Sequence, residues 1–394
     1  MDQKTISILF ALLRSAIRGT ELTEAERSSY RAEMLGPLLK ISSKHDVAHL
    51  VVLQLKKSEL ISNEQTDIEK SILAAVYRYE RLRQEYEKLC NALEGAQIPF
   101  LPLKGTVIRK YYPEAWMRTS CDIDVLVRED DGEKARQILV REHGYTDNGK
   151  SSHDFSFFSP GNVHLELHYE LMEDAYANDA SKVLQQVWHS STVRDGTAFH
   201  YEMPDELFYF YHIAHMAKHF ENGGCGIRPL IDLWILDHIQ EADKEKRDAL
   251  LREGKLLKFA QAVRKLSCVW FENEEYDPIS KQMEEYILSG GVYGNNQNRI
   301  VVQQQKEGGK LRYALSKIWI PYDVIKFQYP VLQKHKWLMP AMEVRRWCKL
   351  IFCGHLKRTT KELKYNSNIS TDKAKEMQAF LRGIGLWLQD GQDD

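Results

Sequence analysis

The sequence lacks any apolar run of about 18 residues, so no membrane-spanning helix is expected. It is poor in cysteine. Six are scattered along the chain (Cys90, Cys121, Cys225, Cys268, Cys348 and Cys353), and no two form a CxxC pair. That speaks against a disulfide framework or a zinc ribbon and fits a reducing, cytoplasmic setting. Net charge is nearly absent as well: −2 over 394 residues, with no global mark of a nucleic-acid binder. Neither an internal repeat nor a low-complexity tract occurs. The opening stretch, broken by Arg14, lacks a basic n-region and a small-residue cleavage site; it reads as an amphipathic helix, not a leader.

What is present is ordinary globular material, 43% hydrophobic and 28% charged, enough for two or three domains. The charge is unevenly spread. Residues 299–365 hold 15 Lys/Arg against 4 Asp/Glu, a local +11, which leaves −13 for the rest.

Periodicity divides the chain into three regions. Residues 1–95 read as helical: Ile6, Phe10, Leu13 and Ile17 recur at helical spacing. Thr23 and Glu26 form a possible capping box, and an amphipathic segment runs from Thr66 to Gly95. Residues 96–172 change pattern. An apolar run from Ile98 leads to Lys104-Gly105-Thr106, a short helix is expected over 107–112, and 122–127 reads as a strand. A helix over 130–143, closed by Gly144, precedes strands 154–158 and 163–168 joined by a Ser159-Pro-Gly-Asn162 turn. Residues 173–394 read as helical again, clearest over 206–220, 231–238 and 248–271, with 290–298 as a loop.

Chemistry concentrates in the middle region. Successive strand side chains alternate faces, so Asp122 and Asp124 share one face and Ile123, Val125 and Val127 the other. Two carboxylates about 7 Å apart along a strand can reach one hard cation, and their repulsion is relieved only by a metal, a nearby cation or a proton. The later strand repeats the device: Val163, Leu165 and Leu167 inward, His164, Glu166 and His168 outward. If the two strands are neighbours, Glu166 is a third carboxylate and the set suits Mg²⁺ or Mn²⁺ with substrate phosphates. Upstream, Lys104-Gly105-Thr106 stands at a strand-to-helix turn. There, close backbone approach, free N–H groups and an ammonium suit a triphosphate. Arg118, four residues before Asp122, is a candidate phosphate ligand.

These motifs, in the order strand, Lys104-Gly105-Thr106, helix, Tyr112-Pro113, Arg118, Asp122-Ile-Asp124 and His164-x-Glu166, carry a resemblance. The chain resembles the uncharacterised nucleotidyltransferase family of the polymerase-beta-like nucleotidyltransferase superfamily. The likeness covers roughly 60–340, with the motifs in about 100–170. Gly105-Thr106 is similar to the superfamily's Gly-Ser pair, Asp122 and Asp124 to its D-x-D, and Glu166 to its third acid. The resemblance implies transfer of a nucleoside monophosphate from an NTP to an acceptor hydroxyl, with pyrophosphate leaving.

The expectation is therefore an α+β protein: a small mixed β-sheet nucleotidyltransferase core (96–172) embedded between N-terminal (1–95) and C-terminal (173–394) helical regions. Asp122, Asp124 and Glu166 would be catalytic and bind metal. Lys104, Gly105, Thr106 and Arg118 would hold ATP or another NTP. The acceptor cleft would lie against helix 206–220, lined by His168, His215, Lys218 and His219. A small molecule, an RNA or a protein would all serve as acceptor. The alternatives are a catalytically silent nucleotide- or partner-binding module, or a toxin-like transferase acting on RNA or protein, which the +11 region keeps open.

Overall fold

A computed structural model describes residues 2–62, 66–172, 179–238, 242–352 and 356–386. Cys353 lies outside them. The fold is α+β: a small mixed five-stranded sheet flanked by helical regions, with a separate two-stranded ribbon that pairs Thr192–Val193 with Tyr201–Glu202. Among the described residues no helix is long and apolar enough to cross a membrane.

Five strands build the sheet: β1 (Phe100–Pro102), β2 (Asp122–Val127), β3 (Thr146–Lys150), β4 (Asp154–Phe158) and β5 (His164–His168), in spatial order β1-β2-β5-β4-β3. Only β2 and β5 run parallel. Their alternating sequences explain the layering. Ile123, Val125, Val127, Leu165, Leu167, Phe155 and Phe157 form one core with Leu82, Leu89 and Leu93 of helix Thr66–Gly95 and Ala135 and Leu139 of helix Glu129–Arg141. Each such side chain contributes about 1.5–3 kcal/mol on burial. A one-residue slip in register would drive the carboxylates into that core, so the apolar face fixes where the acidic face points.

Packing groups the chain into two units, 1–217 with 225–292 and 218–224 with 293–394. The sheet shares the first unit with the N-terminal helices, so residues 95 and 172 mark changes of secondary structure within one packed body. In that unit Phe10 of helix Gln3–Arg18 stacks on Trp270 of helix Leu257–Glu272 at 4.1 Å. The second unit is helical around Ile300, Val301, Tyr313, Ile369 and Ala374.

The capping box at Thr23 and Glu26 is present, and the 159–162 turn joins the antiparallel strands β4 and β5. Three local expectations need correction. The helix after β1 starts at Lys104, not Val107, and tightens to a 3₁₀ turn over Arg109–Tyr111. The 248–271 segment is two helices, Lys244–Glu253 and Leu257–Glu272, separated where Lys255 adopts φ +54°. Strand β3 was not anticipated: it is a polar edge strand with a register shift between Asp147 and Gly149, so it carries no alternating apolar signal.

Candidate active site

The parallel pairing of β2 and β5 sets Asp122 opposite His164, Asp124 opposite Glu166, and Leu126 opposite His168. All these side chains except Leu126 are polar, and all stand on the face away from the core. One ligand atom each from Asp122, His164 and Glu166 lie within 4.8 Å of one another, as do those of Asp124, Glu166 and His168. Glu166 belongs to both groups.

Asp124 and His168 are the most enclosed members, each 3% exposed. The Asp124 carboxylate lies at the centre of the contacts. Its Oδ1 accepts from Lys104 Nζ at 2.6 Å and from His168 Nε2 at 2.9 Å. Lys104 Nζ and His168 Nε2 also lie 3.7 Å and 3.4 Å from Glu166 Oε2. Burial pushes the Asp124 carboxyl up, but the Lys104 ammonium and the His168 hydrogen bond outweigh it, leaving it well below the usual range. Asp122 goes the other way: burial, and then the Asp124 charge, raise it, with Lys104 only partly offsetting them. For Lys104, burial acts against the charged form, and Asp124, Tyr211 and Glu166 more than restore it. His168 follows the same logic: burial lowers it, and its bonds to Asp124 and Glu166 carry it above the ordinary value.

Local backbone positions the cation. Leu103 N–H donates to the Asp124 carbonyl at 3.0 Å, tying the end of β1 to β2. Lys104 follows with φ +46°, a left-handed conformation uncommon for a residue with a side chain, which turns the chain into helix Lys104–Ile108. Gly105 is buried, and a Cβ there would collide with Ser120 Oγ. Thr106 is half-buried on the same turn. Arg109 Nε donates back to the Gly105 carbonyl at 2.8 Å, and burial lowers its guanidinium to about 10.

Arg118 lies in a different setting from the one expected. It is 8% exposed, and its Nε and Nη2 donate to Asp232 at 2.7 Å each. Nη1 donates to the Thr119 carbonyl at 2.5 Å. Tyr112 Oη donates to the same Asp232 at 2.6 Å. The guanidinium thus clamps the 112–121 segment, which leads into β2, onto helix Arg228–His238. Beside it, Asp46 accepts from Arg228 at 3.0 Å, Arg78 at 3.1 Å and Thr119 at 2.8 Å. Arg228 Nε is buried without a partner, and its charge lowers the Asp122 carboxyl.

Helix Asp205–Glu221 supplies Tyr211, whose buried hydroxyl has no hydrogen-bond partner and feels Lys104, Asp124 and Glu166 electrostatically. The His215 ring lies 6.0 Å from that of Tyr211, whereas Lys218 and His219 fall on the last turn, in the second unit. The structure therefore brings Asp122, Asp124, Glu166, Lys104 and His168 together around the sheet face. It adds His164, Tyr211 and Arg228, which were not among the expected ligands. His164 was visible in the His-x-Glu-x-His alternation; Arg228 and Tyr211 reach the site only through tertiary packing.

No curated protein and no solved structure matches the chain. The family model described as "Uncharacterised nucleotidyltransferase" matches residues 34–272, more than half of the sequence and all of the sheet. With an acidic pair, a third acid on the adjoining strand and a Lys-Gly-Thr turn beside them, the chain belongs to this uncharacterised nucleotidyltransferase family, whose general role is nucleotidyl transfer.

Proposed function

We propose that the protein is a divalent-metal-dependent nucleotidyltransferase that moves a nucleoside monophosphate from ATP or another NTP to an acceptor hydroxyl, with release of pyrophosphate. The observation that carries this is the register of Asp124 against Glu166, which gathers three carboxylates on one sheet face. The donor set fits a cation. The Asp122 carboxyl, raised by burial and by Asp124, is the group that gains most from one. Its oxygen neighbours suit Mg²⁺, and the His164 imidazole tilts the set toward Mn²⁺. Asp122, Asp124 and Glu166 would hold the ion, which neutralises phosphate charge and aligns attacking and leaving oxygens.

The remaining roles belong to the chain itself. Glu166, the more open partner of the Asp124–Glu166 pair, takes the proton of the acceptor hydroxyl. Lys104 and the Gly105-Thr106 backbone hold the phosphates. Arg228, with an unpartnered Nε, offers the phosphates a guanidinium. Arg118 acts through Asp232 by fixing the segment that enters β2. Most of the rate then comes from fixed charges and alignment. The unpaired thiols of Cys90, Cys121, Cys225, Cys268 and Cys348 suit a reducing compartment such as the cytoplasm.

One observation supports a second reading. Asp124 is already neutralised by two protein groups, Lys104 and His168. If the lysine never yields, the protein binds nucleotide without turning it over. Incubation with each α-labelled NTP, Mg²⁺ or Mn²⁺ and cell extract separates the two. Transferase activity moves label to an acceptor and releases pyrophosphate, and the Asp122→Ala/Asp124→Ala variant loses both. Binding without pyrophosphate release favours the silent module, and transfer undiminished in the double variant refutes the mechanism.

A further inference from the structure

A second set of metal-ligating side chains stands one strand over from the carboxylates. Asp154 opens β4 directly opposite His168 of β5, and His153 precedes it. The rings of His153 and His168 are 5.6 Å apart, and His153 Nε2 is 3.7 Å from Asp154 Oδ2. One ligand atom from each of His153, Asp154 and His168 lies within 4.8 Å of the other two.

The tautomers follow from the neighbours. His168 Nε2 faces Asp124 and Glu166, both acceptors, so that nitrogen donates. Its Nδ1 is buried without any hydrogen-bond partner, on a residue only 3% exposed. An unsatisfied buried polar atom costs about 1–3 kcal/mol. With Nε2 engaged by Asp124, Nδ1 is the nitrogen left to meet a cation, which would take the place of any proton there. Histidine ligands commonly give their other N–H to a carboxylate, as His168 gives Nε2–H to Asp124. Ser151 Oγ donates to Asp154 Oδ1 at 2.5 Å, accepts from the backbone N–H groups of His153 and Asp154 at 3.2 Å each, and lies 3.1 Å from His153 Nδ1, which holds this short segment in place beside His168.

We infer that His153, Asp154 and His168 form a binding site for a divalent first-row transition ion, distinct from the Asp122–Asp124–Glu166 carboxylates. Bonds of about 2.0–2.2 Å place ligand atoms roughly 3–4.4 Å apart, so small rotamer changes suffice. Two imidazoles with one carboxylate select Zn²⁺, Fe²⁺ or Co²⁺ over Mg²⁺ or Ca²⁺. An ion here fixes the His168 ring and, through it, the bond to Asp124.

Co²⁺ titration of the EDTA-stripped full chain, read by visible d–d absorption, with Zn²⁺ competition and metal analysis, tests this. The expected result is one Zn²⁺-displaceable Co²⁺ equivalent at this site, counted apart from any ion on the carboxylates by titrating Asp122→Asn/Glu166→Gln alongside. His153→Gln and Asp154→Asn should each weaken it at least tenfold, whereas Asp122→Asn/Glu166→Gln should retain it. That last variant keeps the two readings apart, since it removes the proposed transfer chemistry and leaves this ion in place. A wild-type protein without a cobalt band, or a band equally strong in both His153→Gln and Asp154→Asn, overturns the assignment.

Discussion

Replacing Lys104 by methionine removes one charge from the centre of the site while keeping the length of the side chain. The left-handed backbone at this position is equally uncomfortable for both residues, so that strain cancels. What changes is the 2.6 Å contact to Asp124. Breaking a buried ion pair from one side costs about 3–5 kcal/mol. Two features reduce that here: about a quarter of the lysine side chain remains exposed, 24%, and Asp124 keeps its bond from His168. The expected loss in metal-free buffer is therefore about 2 kcal/mol. For a unit of this size, 1–217 with 225–292, the shift is roughly 1.5–2 °C per kcal/mol, so the melting temperature falls by roughly 3–4 °C. Scanning calorimetry in EDTA measures it, and added Mn²⁺ should recover much of the loss by substituting for the ammonium. The Asp124→Asn background supplies the cycle: once the carboxylate is gone, Lys104→Met should cost far less, with a coupling of about 1–2 kcal/mol. A melting temperature that does not move, or single effects that merely add, would refute the account of Lys104 as the counter-charge of Asp124.

Asp122→Asn should abolish transfer yet raise the melting temperature at neutral pH by the equivalent of about 0.5–2 kcal/mol, because burial and Asp124 both disfavour the charged form. The sign follows from a folded pKa above the unfolded one. Wild type regains stability as pH falls through the folded value, so the variant's advantage shrinks on acidification, which melts at a series of pH values would show. Gly105→Ala should cost stability and activity together through the collision with Ser120 Oγ. Ser120→Ala should restore most of both, since the contacts left, Arg118 Nη1 at 3.3 Å and Ser120 Cβ at 3.5 Å, ask the guanidinium to give by only a few tenths of an ångström; melting and label-transfer assays on the pair decide it. Arg118→Lys cannot reproduce the forked contact to Asp232. It should destabilise by about 3–5 kcal/mol in denaturant titrations, with transfer falling although no substrate contact is lost.

Strands β2 and β5 were readable because their alternation encodes both faces at once, Ile123, Val125 and Leu165 inward against Asp122, Asp124 and Glu166 outward. Their adjacency was an expectation, and the parallel register came only with the fold. Strand β3 was hidden because an exposed edge needs no apolar alternation. The partner of Arg118 could not be read, since Asp232 lies 114 residues away on another helix. Lys104 was legible as a cation at a turn but not in its destination. A lysine after a strand suits a phosphate as well as it suits a carboxylate, and only the left-handed backbone aims this one at Asp124. His153 carried no sequence signal because its ligand partners lie on two different strands.

The parallel neighbours β2 and β5 are separated by about 40 residues of chain, which must first form a helix and then a hairpin. Joining such distant segments is slow, and local contacts form well before it. A nascent or truncated chain ending near residue 160 would thus carry Asp122 and Asp124 but not the acid and imidazoles that complete their surroundings. In the finished sheet β5 lies between β2 and β4, so the acidic face is complete only once this last strand is in place.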